Sequence, residues 1–296
     1  MRIVSLHPAA TEIVFALGLG DELVGATAYC DWPPEARAVP VVARRPARPP
    51  ASGPPGPVLL ELDRDALAAA DPDLVIHSDV NRVCAVRPRE LRGIADDIDE
   101  EVSVLSLDPL SVEGVLNAVQ TVGAMTEAED EAMDVVVGLR ERLQAIEGIV
   151  VARRDHGFGA PRLAALEWLE PPTAVGRWIP EQVRLAGGWE LLGREHERPS
   201  PTSWAALREV DPEIIVLMPA GMDLAQTVVA WEALPRPDGW ADLQAVRAGR
   251  VFAVDGSSYF WRPGPRIVDG IEVLAEIVDP KAFDGLAPND SFVRVG

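Results

Sequence analysis

The stretch 184-RLAGGWELLGRE-195 repeats the pattern of residue types in an earlier stretch, 16-ALGLGDELVGAT-27. Each has an apolar helical run, a glycine turn, Glu-Leu followed by an aliphatic residue, and a glycine. A second pair follows in the same order, 68-AAADPDLVIHS-78 and 208-REVDPEIIVLMP-219, in which Asp-Pro separates a helix from an apolar strand. Because alternating helices and buried strands build α/β folds, the repeat predicts two related α/β lobes of Rossmann-like type.

The spacing of the two motifs differs between the copies. Gly25 and Gly193 are 168 residues apart and Pro72 and Pro212 are 140 apart, so the first copy holds 28 additional residues. The proline-rich stretch 46-PARPPASGPPGP-57 accounts for most of them, since prolines exclude a helix or a central strand. Buried strands are predicted at 2-RIVSL-6, 74-LVIHS-78 and 102-VSVLSL-107.

The segment between the copies has apolar residues at helical spacing and no proline. It predicts one helix over 111–148, roughly 55 Å long at 1.5 Å per residue. Two helices broken near 126-TEAED-130 are the alternative. The predicted domains are an N-terminal lobe over 1–110, a connecting backbone helix over 111–154 and a C-terminal lobe over 155–296. We expect a ligand to bind in a cleft between the lobes, at the carboxyl ends of their strands.

The charge of the chain excludes several classes of partner. With 27 basic and 47 acidic residues, the formal net charge is −20, which disfavours nucleic acid and anionic membrane surfaces. Lys281 is the only lysine, so a phosphate-loop or Schiff-base lysine elsewhere is excluded. No hydrophobic run is long enough for a membrane span, and no signal peptide is recognised. The expected location is therefore cytoplasmic, or periplasmic or extracellular if a leader was removed.

Motifs of common enzyme classes are missing from the sequence, including GxSxG, HExxH, a Walker loop and GxGxxG after a strand. A non-enzymatic binding protein is therefore expected, with no intrinsic cofactor and as a monomer.

Several of these segments, in this order, resemble one family. They are 2-RIVSLHPAATEIVFALGLGDELVGAT-27, 30-CDWPPEAR-37, 71-DPDLVI-76, 170-EPPTAVGRWIPEQVRLAGGWELLG-193, 203-SWAALREVDPEIIVL-217 and 257-SSYFWRPGPRIVDGIEVLAEIV-278. The chain is similar to the helical-backbone (class III) substrate-binding proteins of metal-chelate ABC importers, and most to their cobalamin-binding subgroup. The resemblance implies two lobes, a backbone helix, and a corrinoid held between the lobes.

The resemblance also places the ligand contacts. They fall on a turn at Asp31, Trp32, Pro33 and Pro34, a second turn at Pro171 and Pro172, and a late aromatic loop at Ser258, Tyr259, Phe260 and Arg262. It further implies one acidic residue per lobe that docks onto an ABC permease. Asp65 matches this position in the first lobe. In the second lobe the position falls on Ala205, with Glu209 one helical turn further on.

Aromatic residues at predicted strand ends suit a flat ligand, because a corrin is a broad apolar plate with amide groups on its rim. The candidate ligand contacts are Tyr29, Cys30, Asp31, Trp32, Cys84, Trp168, Tyr259, Trp261 and Arg262. Ordinary packing is the alternative for each aromatic residue, and a surface ion pair is the alternative for Arg262. Core or helix packing is expected instead for Trp189, Trp204, Trp231 and Trp240.

The two cysteines and two histidines near strand ends form a second group: His7, Cys30, His77 and Cys84. These side chains are possible ligands for zinc, iron or a cobalt axial position, but their spacing matches no metal motif. Packing as small buried hydrophobic residues, a redox pair, or thiolate contact with the ligand are the alternatives for the cysteines.

The sequence favours binding of cobalamin or a precursor. A ferric siderophore or haem-binding protein is the alternative in the same class. A cytoplasmic corrinoid-trafficking or metal-dependent protein that uses the histidines and cysteines, and a sensor that binds a protein partner, are alternatives of other classes.

Overall fold

The computed structural model describes residues 1–45, 60–78, 86 and 102–296. The proline-rich stretch 46–57 and Cys84 lie outside these residues. The chain divides into two compact units: Met1–Pro109 with Gly114–Val137, and Leu110–Glu113 with Gly138–Gly296. Each unit has its own β-sheet, so the predicted α/β class with two sheet-containing lobes is confirmed.

The sheet of the first unit is mainly parallel. Its strands are β1 (Ile3–Ser5), β2 (Leu23–Thr27), β3 (Val41–Arg44), β4 (Glu61–Leu62), β5 (Leu74–His77) and β6 (Ser103–Ser106), in the spatial order β4-β3-β2-β1-β5-β6. Only β4 is antiparallel to its neighbour among these pairs. Strands β1 and β5 are buried apolar runs, as expected for parallel strands covered on both faces.

The first unit also contains α1 (Pro8–Ala16), α2 (Arg64–Ala70), most of α3 (Val112–Met125) and the start of α4 (Glu129–Asp155). Helices α3 and α4 occupy the segment for which one continuous helix was expected. The prediction of a single helix is therefore wrong, and the alternative of two helices broken near residues 126–130 is confirmed. Glu127 has a left-handed φ of 55°, and Ala128 N–H donates to the Gly123 carbonyl over 2.8 Å. These contacts close α3 in a Schellman-type cap.

The second unit has a mixed sheet. Its strands are β7 (Arg162–Leu169), β8 (Pro172–Ala174), β9 (Trp189–Glu190), β10 (Ser200–Pro201), β11 (Ile214–Leu217), β12 (Val251–Val254) and β13 (Phe292–Arg294). The order is β10-β8-β7-β11-β12-β13, and β9 also pairs with β7. Strands β7, β11 and β12 are parallel, and their inward residues are fully buried.

Its helices, besides the rest of α4, are α5 (Ile179–Leu185), α6 (Trp204–Val210), α7 (Leu224–Ala233), α8 (Gln244–Arg247), α9 (Gly256–Tyr259) and α10 (Ile267–Val278). Arg142 on α4 makes ion pairs with Asp269 and Glu272 on α10, and both guanidinium contacts to Glu272 are hydrogen bonds of 2.6–2.9 Å. This bidentate pair fixes α10 against the long helix. Across the described ranges, no helix is long and apolar enough to cross a membrane.

The sequence repeat is visible in the contacts at each Asp-Pro. Arg2 donates side-chain hydrogen bonds to the carbonyls of Ala70 and Asp71, which end α2. In the second unit, Arg162 donates to the carbonyls of Val210 and Asp211, which end α6. Cationic donors near the last carbonyls of a helix satisfy acceptors that have no partner within the helix. Both copies of the repeat therefore stabilise this helix end with an arginine in the same way.

The core of the second unit contains a tryptophan cluster. Trp231 and Trp240 are buried, with ring centroids 4.8 Å apart, and Trp204 packs against both. The prediction of core or helix packing is confirmed for Trp204, Trp231 and Trp240. The same prediction is wrong for Trp189, because 60% of this side chain is exposed. Successive strand residues face opposite sides, and on β9 it is Glu190 that points inward.

Candidate functional site

The carboxyl ends of β2, β1 and β5 lie side by side in the first sheet. The candidates His7, Cys30 and His77 follow or end these three neighbouring strands, as predicted. His7 is buried, and its Nδ1 accepts a hydrogen bond of 3.2 Å from the Ala9 N–H at the start of α1. One ring nitrogen of His7 therefore acts as a helix cap.

Cys30 lies in a buried position beside β2. It is 5% exposed, and its Sγ is 3.3 Å from the Thr27 hydroxyl. Packing as a small buried residue accounts for these contacts. Within the described part of the chain, no group of three or more His, Cys, Asp or Glu side chains is arranged to hold a metal ion. Cys84 lies outside that part, so a redox pair with Cys30 stays one of the open alternatives.

The turn after Cys30 presents an aromatic side chain to solvent. Trp32 is 45% exposed, whereas Asp31 is half-buried. Tyr29 is half-buried, and the Arg45 guanidinium carbon lies 5.5 Å from the centroid of its ring. Pro34 begins a short 3₁₀-helix over Pro34–Ala38, which ends the turn. The turn therefore offers a flat apolar face at the carboxyl edge of the first sheet.

In the second unit, the candidates gather at the carboxyl end of β7 and around α9. Trp168 is half-buried, and its indole N–H donates to the Glu170 carbonyl over 3.0 Å. Tyr259 is also half-buried, with the Arg266 guanidinium carbon 5.7 Å from its ring centroid. These two side chains retain exposed surface and are available for contact with a ligand.

Trp261 and Arg262 are much less accessible. Each is only 4% exposed, so the surface ion pair proposed as an alternative for Arg262 is wrong. The turn after α9 is folded inward because the Trp178 indole donates to the Phe260 carbonyl over 2.9 Å. Arg262 in turn donates to the Ser257 hydroxyl over 3.4 Å.

A buried ion pair, which the sequence did not single out, lies at the same edge. Arg177 donates to one oxygen of Glu167 over 3.3 Å, and each side chain is 13% exposed. Burial raises the pKa of Glu167 above its ordinary value, against the opposing effect of Arg177. The two residues line a narrow recess together with Trp178, Met218, Ala220 and Trp261, and this recess has no room for a water molecule.

The sequence does contain a signal for this pair. The strand 163-LAALEWL-169 is apolar except for Glu167, and an acidic residue inside a buried strand requires a partner. The sequence does not identify the partner, because Arg177 lies in the connection between β8 and α5, where a left-handed φ of 56° and the antiparallel pairing of β8 with β7 bring it back to Glu167.

A larger groove, of about 370 Å³, lies at the opposite edge of the second sheet. Three arginines line it, but Arg153 is paired with Asp279, and Arg250 donates to the Ile277 and Val278 carbonyls that end α10. Since two of its three guanidinium groups already have protein acceptors, this groove is a weaker candidate than the carboxyl edge.

The candidate docking residues occupy matching helices. Asp63 and Ser203 cap α2 and α6 through their side chains, so Asp65 and Ala205 are both the second residue of their helix. Asp65, Ala205 and Glu209 are exposed. The structure therefore places Ala205 at the position that corresponds to Asp65.

Comparisons with known proteins agree with this architecture. A family model described as "Periplasmic binding protein" matches residues 3–257. An uncharacterized ABC transporter substrate-binding lipoprotein of Bacillus subtilis, YvrC, is 26% identical over 95% of this chain and 81% of its own length. The vitamin B12-binding protein of Vibrio cholerae is 24% identical over 92% of this chain and 86% of its own length. A solved periplasmic heme binding protein from Pseudomonas aeruginosa shares the fold, with a TM-score of 0.77, 22% identity, and coverage of 100% of this chain and 99% of its own.

Proposed function

Because the chain belongs to the periplasmic binding protein family, we propose that it binds a corrinoid, cobalamin or a precursor, and delivers it to an ABC importer. Membership of this family confirms the expectation of a binding protein rather than an enzyme. The Bacillus subtilis relative is named as an ABC transporter lipoprotein, which supports delivery to a permease and an exported location rather than a cytoplasmic one.

The corrinoid proposal rests on aromatic side chains with exposed surface at the carboxyl edge of each sheet. Trp32 serves this role in the first unit, and Trp168 and Tyr259 in the second. Such faces suit a flat apolar ring system. The net charge of −20 favours a neutral ligand with an amide rim over an anionic haem or ferric siderophore. The name of the Vibrio cholerae relative supports the same ligand. The predicted cleft between the lobes stays a prediction.

A direct binding experiment tests the ligand. Purified protein is titrated with cyanocobalamin, with cobinamide and with haem, and followed by visible spectroscopy and calorimetry. Saturable binding of a corrinoid with little haem binding is the expected result. Haem binding without binding of either corrinoid contradicts the proposal.

Trp32→Ala is expected to weaken corrinoid binding by about 1–3 kcal/mol, or roughly 5- to 150-fold, if this indole is an aromatic anchor. The matched control is Trp189→Ala, which removes an indole that is 60% exposed. Trp189 pairs with Arg162 at the amino end of β7, at the edge opposite Trp168. Its loss should leave the calorimetric Kd unchanged. Equal effects of the two substitutions contradict a binding role for Trp32.

We further propose that Asp65 docks onto arginines of the permease, with Glu209 as a weaker contact in the second unit. Asp65→Asn should lower the affinity for the cognate permease by about tenfold, and less at high salt, because an exposed ion pair is screened. Ala205→Asp supplies the acidic residue that this position lacks and should strengthen binding. The measurement is capture of the protein by permease in detergent. Unchanged capture of both variants contradicts this docking mode.

A further inference from the structure

The loop that carries Tyr259 is attached to helix α5 by side-chain hydrogen bonds. Trp178, the residue before α5, donates its indole N–H to the Phe260 carbonyl over 2.9 Å. Gln182, within α5, donates its side-chain NH₂ group to the carbonyls of Tyr259 and Ile267, over 3.3 and 2.8 Å. Because all three acceptors are backbone carbonyls, these bonds fix the main chain of the loop without using the ring of Tyr259.

Gln182 is completely buried, whereas most glutamines in proteins are exposed. Its Oε1 atom accepts no hydrogen bond from the described residues, so the side chain interacts through the two hydrogens of its NH₂ group. A buried amide lowers stability unless its hydrogen bonds compensate for the loss of water. Both of its bonds go to the loop and the start of α10, so its contribution is to hold these segments together.

Helix α10 reaches the same point through a glycine. A Cβ on Gly270 would lie 2.5 Å from the Tyr259 carbonyl oxygen and 2.6 Å from the Gln182 side-chain nitrogen. A side chain here would therefore displace the loop or the amide, and glycine permits their close approach. Glycine inside a helix is otherwise less favourable than alanine. The contact with the loop accounts for its presence in α10.

Tyr259 is the last residue of α9, which follows β12 at the carboxyl edge of the second sheet. A loop that is ordered before a ligand binds loses less conformational entropy on binding. Resting on the proposed function, we propose that Gln182 and Gly270 are positioning residues that hold Tyr259 in place for contact with the ligand. Gln182 acts by its hydrogen bonds to the loop, and Gly270 acts by leaving space for that contact.

A double-mutant cycle tests this role. Gln182→Met removes both donors and keeps an unbranched side chain of similar length, and it should raise the cyanocobalamin Kd about tenfold. Tyr259→Ala removes the ring that Gln182 positions and should itself weaken binding. When both substitutions are combined, Gln182→Met should raise the Kd by less than about twofold further, because its effect passes through Tyr259. Calorimetric titration of the four proteins measures the cycle.

Gly270→Ala tests the same contact by adding one methyl group. It should also raise the Kd about tenfold in the wild-type background and by less than about twofold in Tyr259→Ala. Gly138→Ala is the matched control, since Gly138 lies in α4 and a Cβ on it would meet no atom within 4 Å. This control should leave the Kd unchanged.

Gln244→Met is the matched control for Gln182→Met. Gln244 begins α8 at the amino edge of the second sheet, where its side-chain oxygen accepts from Arg162 over 3.3 Å. The control removes a hydrogen-bonded glutamine from the same unit but far along the strands from the loop, so the Kd should stay unchanged. If Gln182→Met does not fold, Trp178→Phe replaces it in the cycle, because it keeps a ring and removes the donor to the loop.

The outcomes separate the two proposals. Failure of the wild-type protein to bind cyanocobalamin and cobinamide overturns the proposed function itself. Corrinoid binding in which these substitutions weaken affinity equally with and without the Tyr259 ring overturns the positioning role and leaves the function standing. The positioning role is also overturned if Tyr259→Ala alone leaves the Kd unchanged, or if Gln244→Met weakens binding as much as Gln182→Met.

Discussion

Glu190→Ala is expected to destabilise the second unit by about 4 kcal/mol. The Glu190 carboxyl is buried and accepts hydrogen bonds from the N–H groups of Ala165, Leu192 and Gly193, over 2.9–3.0 Å. Alanine would leave these donors without their acceptor, at about 1–3 kcal/mol for each that stays buried. The substitution would weaken the pairing of β9 with β7, the strand that carries Glu167 and Trp168.

Urea unfolding followed by far-ultraviolet circular dichroism measures this effect and that of a control in the first unit, and tryptophan fluorescence assigns it to the second unit, because every tryptophan except Trp32 lies there. Burial raises the pKa of Glu190 to about 7, so the measurement is made at pH 8, where the carboxylate is ionised. Glu190→Gln should cost about half as much. Its amide can accept through one oxygen, but its NH₂ group must face a backbone N–H donor.

Glu22→Ala provides the matched control, since Glu22 is the counterpart of Glu190 in the sequence repeat. Its side chain is 37% exposed and pairs with the N-terminal amine over 2.9 Å. Exposed ion pairs contribute about 0–1 kcal/mol, so this substitution should cost less than about 1 kcal/mol. A loss at Glu190 no larger than the loss at Glu22 contradicts a buried role for the Glu190 carboxylate.

The contrast between Glu22 and Glu190 shows how far the repeat allowed prediction. The Asp-Pro elements were predictable, and Asp71 and Asp211 both end their helices with a left-handed φ, of 45° and 38°. Local turn chemistry dictates such features. Whether a repeated glutamate is buried depends instead on where the strand begins: Glu22 ends a 3₁₀-helix just before β2, whereas Glu190 is part of β9 and lies in register with Leu163 of β7. The repeat therefore predicted the elements but not their environments.

The same reasoning applies to the candidate site. The grouping of His7, Cys30 and His77 at one edge was predictable, because carboxyl ends of neighbouring parallel strands share an edge. The burial of Trp261 and Arg262 was not, since it depends on the hydrogen bond from Trp178 that turns their loop inward. The sequence leaves the break between α3 and α4 as one of two alternatives, because a glutamate in the left-handed conformation has no distinctive sequence signature.

Trp231→Ala is expected to cost about 4 kcal/mol of stability in the second unit. The side chain is 1% exposed, contacts Trp240 and Trp204, and carries the Arg236 guanidinium carbon 3.9 Å from its ring centroid. Truncation of a buried tryptophan removes apolar burial and leaves a cavity, at about 3–5 kcal/mol. The cluster packs against Leu166 and Leu217, so the cavity would lie beneath β7 and β11, the strands whose ends form the recess.

Trp231→Phe separates the contribution of the ring from that of its polar atom. The indole N–H of Trp231 is buried, and among the described residues it has no hydrogen-bond acceptor. Phenylalanine keeps an aromatic ring and removes this unsatisfied donor, so part of the lost packing is offset. Its cost in urea unfolding should therefore stay below about 1.5 kcal/mol. A cost close to that of Trp231→Ala would mean that the indole N–H has an acceptor after all, and that the cluster is held by a hydrogen bond as well as by packing.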